Sequence, residues 1–411
     1  MHIGLNLLFL VPGETGGMEV AARATLPELV AAAPGTRFTA FVNREAAGED
    51  WGAGITSIVV PVRARNRVQW VRGEQLLLPG AAARAGCDLV HSLGSTAPLR
   101  GRFRRVVTIH DLIYKRFPEA HGGVKAIGMR VLVPLAARSS QRIITDSHAT
   151  RDDPVELLGV PARKIDVVAL AAAPPHAAPT NESELRVRLM LGRRRLLLTA
   201  SAKRRHKNLV RLLDAHALLP AERPLLVLPG YATEHEDELR AHAAALGTSA
   251  DVRFLGWVSD ADMEGLYAAA AAFVFPSLHE GFGLPVLEAM QRGVPVACSN
   301  GSALAEVAGG AALLFDARDP RAIADAVATI LDDDAAVERL RAQGLVQAAR
   351  FSWQATARGC LDVYGRVLGD AALAARLRTA GIAQAARFSW AATARATADS
   401  YDRAMARRGS A

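Results

Sequence analysis

The feature that most restricts the fold of this 411-residue chain is a pattern that runs through it twice. Short, continuous apolar runs alternate with longer helical stretches, first at Ile3–Val11, Arg37–Val42, Ser57–Val60, Leu89–His91, Arg105–Ile109, Arg142–Thr145 and Lys164–Val168. A strand that is apolar on successive residues must be covered on both faces, and intervening helices supply the cover, so a parallel sheet is expected. The pattern halts at Ala171–Thr180, AAAPPHAAPT, which has neither period nor charge and reads as a linker. It then restarts at Leu196–Ala200, Pro224–Leu228, Val252–Leu255, Ala272–Pro276, Pro295–Ser299 and Ala312–Phe315. The chain is therefore expected to be α/β, with two doubly wound domains, 1–175 and 180–350, facing a cleft at the carboxyl ends of their strands.

Residues 351–411 are expected to form a helical tail with a duplicated segment. Leu331–Tyr364 recurs at Leu368–Tyr401 with an offset of 37, so that Phe351-Ser352-Trp353 becomes Phe388-Ser389-Trp390. Two copies are too few for a solenoid, and part of this tail is expected to return to the first domain. The formal net charge is +8, with most of the excess before residue 178, where 21 Lys and Arg face 15 Asp and Glu. Arg63, Arg65, Arg67 and Arg72 lie near Trp70, and Arg100, Arg102, Arg104 and Arg105 form a second cluster. These read as solvated surface or as a patch for an anionic lipid or phosphate-bearing acceptor; no recognition-helix or stacking motif accompanies them, which argues against nucleic acid. Cys87, Cys298 and Cys360 form no disulfide framework or zinc pattern. The start, MHIGLNLLFLVPG, has no basic leader and is too short to span a membrane, so it reads as a first buried strand in a cytoplasmic chain.

The chemistry concentrates in Phe275–Gly293, FPSLHEGFGLPVLEAMQRG. An apolar strand ends at Pro276, a glycine-rich turn follows, and Pro285 stands where a helix should begin. Free backbone N–H groups at such a helix start suit a diphosphate, and Gly281 and Gly283 let backbone approach it closely. Glu280 and Glu288 flank this anion site, where a phosphate would repel them; carboxylates there are better matched to vicinal hydroxyls, on ribose or on a sugar ring.

EGFGLPVLE resembles the E-x7-E signature of the family-four retaining glycosyltransferases, which have the GT-B fold of two Rossmann-like domains, and GVPVACSNGSALAEVAGGAALLFDARDP, with Glu306, is similar to that family's next strand and helix. The resemblance runs from the start of the chain to about Tyr364. It implies that Glu280 lies by the transferred sugar, that Glu288 binds the nucleotide ribose, and that Phe282, Gly283 and Leu284 offer backbone groups to sugar and phosphate. Ser201 and the Lys207-Asn208-Leu209 element match the donor-binding loop after the first strand of the second domain, with Lys207 on the diphosphate. Many members carry an Arg five residues before that Lys, where this chain has Ala202; Lys203, Arg204 and Arg205 are the nearby cations. His110, in Thr108-Ile109-His110-Asp111-Leu112, resembles the family's His-Asp-Leu element, in which the His faces the sugar, and Asp111 either orients it or caps the next segment. Gly16 and Gly17 match a Gly-Gly loop lining donor or acceptor, and Ser147 and Arg151 resemble a motif near the domain junction.

Asp260-Ala261-Asp262 has the DxD form of a metal-dependent transferase, but Ser259-Asp260 precedes an amphipathic stretch and reads as a helix cap; of Asp332–Asp334 the second repeat copy keeps only one acid, which argues against metal binding there. With no metal pattern in the sequence, the resemblance implies a metal-independent, retaining hexosyltransferase without a cofactor. Its donor would be a nucleotide diphosphate sugar, GDP-mannose-like or a UDP-sugar, and its acceptor a glycan, a lipid-linked acceptor or a small molecule, reached at the inner face of the membrane. The alternatives are a phosphorylase or epimerase of the same architecture, or a catalytically weak sugar-nucleotide-binding subunit of a glycan assembly complex.

Overall fold

The computed structural model of this protein describes residues 1–118, 123–175 and 177–369. Seven strands form the first sheet: β1 (His2–Asn6), β2 (Arg37–Val42), β3 (Ile55–Val59), β4 (Leu89–Ser92), β5 (Arg104–Thr108), β6 (Arg142–Thr145) and β7 (Ile165–Val167). Their order is β3-β2-β1-β4-β5-β6-β7, every pairing parallel. Six form the second: β8 (Leu196–Leu198), β9 (Leu225–Leu228), β10 (Val252–Phe254), β11 (Ala270–Phe275), β12 (Val296–Ser299) and β13 (Leu313–Phe315). Their order is β10-β9-β8-β11-β12-β13, again all parallel. This is the GT-B architecture that the strand pattern and the resemblance implied. Strand order reverses between β1 and β4 and between β8 and β11, so the loops after these strands open into the crevice that separates the sheets.

The first apolar run is longer than its strand. β1 ends at Asn6, and Leu7, Leu8 and Leu10 continue as a fully buried turn. Buried backbone polar groups need partners, and two asparagines supply them. Asn6 Oδ1 accepts from the Leu8 amide at 3.1 Å, while Asn43 Nδ2 donates to the carbonyls of Leu8 and Leu10 at 3.1 and 2.6 Å. The turn delivers the chain to helix Gly17–Ala32, which begins after Gly16 at φ 65.

The segment read as a linker is packed at its start, whereas Pro174, Pro175, Ala178 and Pro179 are exposed. Ala171, Ala172 and Ala173 are buried, and helix Trp353–Leu368 returns from the second domain to grip the crossing: Trp353 Nε1 donates to the Ala172 carbonyl at 3.1 Å and Thr356 Oγ1 to that of Ala169 at 2.7 Å. The same helix lies along Gly17–Ala32 and buries Tyr364, whose hydroxyl meets His91 Nδ1 at 2.7 Å beneath β4. Burial and the neighbouring His110 charge push His91 down to about 3, so it stays neutral and bridges Tyr364 to Thr108. This returning element belongs to the first copy of the repeat; the second copy lies outside the described residues. No helix among the described residues is long and apolar enough to cross a membrane.

A chain ending at Gly369 retains all of these contacts and should still fold, unfolding in one cooperative transition. Tyr364→Ala, which empties a buried site and removes the partner of His91, should cost about 3–5 kcal/mol in denaturant unfolding. Equal stability of Tyr364→Ala and the parent would show that the returning helix does not brace the first domain.

Candidate active site

The crevice between the sheets encloses about 560 Å³ and is lined from both domains. Gly16, Gly17 and His110 come from the first; Ser201, Lys207, Glu280, Gly281, Phe282, Gly283, Leu284 and Glu288 come from the second. Every residue that the sequence singled out for donor or sugar therefore borders one cavity.

The glycine turn after β11 behaves as its composition requires. Gly283 has φ 105 and immediately precedes helix Leu284–Gln291, with Pro285 in its first turn. Gly281 is constrained by space instead: a Cβ there would overlap the carbonyl oxygen of His110, which belongs to the opposite domain. Glu280 is nearly buried and its carboxylate accepts a hydrogen bond from Lys207 Nζ at 2.6 Å. Lys207 closes a short 3-10 turn, Arg205–Lys207, and sits 5.3 Å from the Phe275 ring. Asn208 then takes the left-handed conformation, φ 58, which asparagine tolerates, and its side chain ties the turn to the carbonyls of Pro276 and Ala317 at 3.1 and 2.7 Å. The lysine and Glu280 are thus held by adjoining loops of one sheet.

Glu288 reaches the cavity one helical turn beyond Pro285, and its Oε2 accepts a hydrogen bond from the Tyr267 hydroxyl at 3.2 Å. Arg292 supports this corner: it pairs with Glu264 through both Nε, at 2.6 Å, and Nη2, and lies 4.8 Å over the Tyr267 ring. Of the three cations near Ala202, only Arg204 borders the cavity. Lys203 is fully buried, donating to the carbonyls of Gly230 and Leu255 at 2.5 and 2.7 Å, and burial pushes its ammonium down to about 8. It ties together the loops after β8, β9 and β10 and does not face the cavity. Arg205 pairs with Glu238 at the surface.

His110 sits on the opposite wall just past β5. Its Nδ1 lies 2.6 Å from Asp146 Oδ2 and its Nε2 lies 2.9 Å from the Leu93 carbonyl. A carbonyl can only accept, so Nε2 carries a proton; burial raises the Asp146 pKa, and while that acid is ionised it accepts from Nδ1 as well, making the ring an imidazolium. Burial alone would lower its pKa, but the charge of Asp146 and its hydrogen bond outweigh this and raise the value to about 9. Asp111 is not the orienting acid: its Oδ1 accepts from the Ile113 amide at 3.0 Å and caps the next segment. Asp146, which the sequence reading missed, does the orienting. Its signal was present as an acid ending the apolar run RIIT, on the strand paired with β5.

The DxD aspartates divide. Asp260 borders the cavity, whereas Asp262 is engaged by Arg188 and by Thr180 Oγ1, the latter at 2.8 Å, and its amide donates to the capping Ser259 hydroxyl. Asp333, in the acidic run at the start of the first repeat copy, caps helix Asp334–Ala348. At the domain junction Ser147 caps helix His148–Leu158, while Arg151 turns away to Asp152.

A nuclear magnetic resonance titration of the His110 ring should give a pKa near 9, and Asp146→Asn should lower it. Because the folded value lies above the ordinary 6.5, the stabilisation that His110 contributes is complete below pH 6.5 and is lost as pH rises through about 9. A titration near 6.5 in the parent would refute the double-donor assignment.

Residues 15–172 match the family described as Glycosyltransferase Family 4, and residues 182–346 match Glycosyl transferases group 1. The chain is 37% identical over 257 residues to O-antigen chain mannosyltransferase B of Escherichia coli, covering 61% of this chain and 67% of that protein. It is 31% identical over 371 residues to D-inositol 3-phosphate glycosyltransferase of Frankia alni, covering 86% and 84%. Among solved structures it resembles sucrose-phosphate synthase from Thermosynechococcus elongatus at a TM-score of 0.73 and 19% identity, covering 90% of this chain and 99% of that one, a likeness of fold.

Proposed function

Because the chain belongs to glycosyltransferase family 4 and is a glycosyltransferase, we propose that it moves a hexosyl group, mannosyl first among candidates, from a nucleotide diphosphate to a glycan or lipid-linked acceptor, with retention and without a metal ion. The observation that carries this reading is the Glu280–Lys207 pair inside a two-domain cavity, with the Gly281–Gly283 turn and Glu288 beside it.

A nucleotide sugar needs its departing diphosphate stabilised and its oxocarbenium-like ring supported. Lys207, Arg204 and the start of helix Leu284–Gln291 serve the diphosphate; Lys207 shifts from Glu280 toward the phosphates as the donor binds, leaving the Glu280 carboxylate for sugar hydroxyls. Glu288, oriented by Tyr267, takes the ribose hydroxyls. Both ring nitrogens of His110 are committed as donors, so it acts as a fixed positive charge at the sugar rather than as a base. The departing phosphate accepts the acceptor's proton. Mannosyl donors rank first because of the likeness to the O-antigen mannosyltransferase. The acceptor side includes exposed Arg63, Arg72, Arg100 and Arg102 near exposed Val68 and Leu76, which supports contact with an anionic bilayer.

The test combines a thermal-shift panel of GDP-mannose, UDP-glucose and UDP-N-acetylglucosamine with turnover and with calorimetric binding of the free diphosphates. Glu288→Gln should weaken diphosphate binding by roughly 1.5–3 kcal/mol for each charge-assisted hydrogen bond lost, whereas Glu280→Gln should depress turnover more than diphosphate affinity. Turnover should survive EDTA. Reversal of the two phenotypes would exchange the roles of the glutamates, and a rate restored only by added magnesium or manganese would overturn metal independence. Donor binding with no transfer to any acceptor would favour the binding-subunit reading.

A further inference from the structure

Glu280 stands in the second domain, yet the residues on both sides of it are held by the first. Gly281 offers its carbonyl oxygen to two hydroxyls at the start of helix His148–Leu158, accepting from Ser147 Oγ at 2.8 Å and from Thr150 Oγ1 at 2.7 Å. One turn further along the same helix, Asp153 Oδ2 meets His279 Nε2 at 3.1 Å. The Asp153 side chain is almost wholly buried and is also paired with Arg116 at 2.6 Å. Burial would raise its pKa, but hydrogen bonds from His279 and Arg116 hold it below the usual carboxylate range.

The second domain answers in kind. Glu306, on helix Ser302–Ala308, accepts from the amides of His148 and Ala149 at 3.0 and 3.4 Å, placing a carboxylate at the positive end of the first domain's helix. Ser302 from the same short helix accepts from the Glu280 amide at 2.9 Å. The contacts close a ring from helix His148–Leu158 through Gly281 and Glu280 to Ser302 and Glu306, and back to the helix.

We propose that helix His148–Leu158 is the positioning element of the active site, holding Glu280 in register with His110 by gripping His279 through Asp153 and Gly281 through Ser147 and Thr150. Ser147, Thr150, Asp153 and Glu306 are positioning residues and touch no substrate. The spacing carries the idea: hydroxyl and carboxylate groups at positions 147, 150 and 153 fall on one face of the helix, at intervals of three. That face is spent on the two neighbours of one carboxylate. The Lys207–Glu280 pair is built within the second domain, so diphosphate affinity is independent of this grip, whereas sugar transfer depends on it. This inference rests on the proposed role of Glu280.

The experiment compares the full chain with Thr150→Val, Asp153→Asn, the combined variant and Glu306→Gln, using Asp152→Ala, on the exposed side of the same helix, as control. Each is measured for turnover with the nucleotide sugar that the panel identifies, for calorimetric binding of GDP and UDP, for thermal midpoint and for radius of gyration by small-angle scattering. The combined variant should lose about tenfold or more in kcat while its diphosphate Kd stays within about threefold of the parent. It should keep a single cooperative transition with a midpoint lowered by the buried hydrogen bonds it loses, and its radius of gyration should rise as the domains loosen. Parent-like kcat in the combined variant would overturn the proposal. So would equal losses of turnover and diphosphate affinity, which mark a general packing defect. If the parent transfers no sugar, the proposed function fails separately; scattering then decides this inference, an unchanged radius of gyration in the combined variant refuting it.

Discussion

Two sheets can share one reaction only if their strand ends meet, and here the meeting point is the contact between Gly281 and the carbonyl of His110. Any side chain at Gly281 would push the domains apart and separate Glu280 and Lys207 from the His110–Asp146 pair. The glycine in this turn thus has a purpose beyond backbone freedom or room for a phosphate. It sets the width of the cavity, and every lining residue from the other domain inherits its position from that distance.

Around this contact the molecule has buried an unusual amount of polarity, and each buried group has a defined duty. Lys203 is sunk among backbone carbonyls and joins three loops at the far end of the cavity. Asp146 raises the pKa of His110, and the His110 charge helps keep His91 neutral on the neighbouring strand. Glu74, fully buried under hydrogen bonds from Asn6, Thr96 and Gln75, is raised to about 7 by burial and anchors the loop that presents the Leu93 carbonyl to His110. Removing one partner from such a network strands the other without water, which is why these groups rigidify the cleft. The returning helix adds apolar weight where it crosses between domains, so Ala171, Ala172 and Ala173 of the crossing segment are packed despite its linker-like composition.

Much of this was legible beforehand because the sequence carries period and local chemistry openly. Thirteen strands were marked by apolar runs, and the glycine turn, Pro285, Lys207 and the two glutamates were marked by spacing along a strand–turn–helix unit. Ser259 was legible as a cap because capping acts within one turn of the chain. What escaped were partners far apart in sequence. Asp146 lies 36 residues from His110, Thr150 lies 131 from Gly281, and Asp153 lies 126 from His279. Lys203 read as one of three interchangeable loop cations, and only its burial set it apart from Arg204 and Arg205.

By itself, then, the sequence determined the two parallel α/β layers and the glycine turn before helix Leu284–Gln291 with Glu280 and Glu288 beside it, because hydrophobic periodicity and helix-terminal geometry act over a few residues. Only the tertiary structure decided which acid orients His110, which of three cations enters the cavity, and that a helix of the first domain holds the Glu280 loop of the second. Those outcomes depend on the distance and angle between two separately formed sheets, a quantity that no local run of residues encodes.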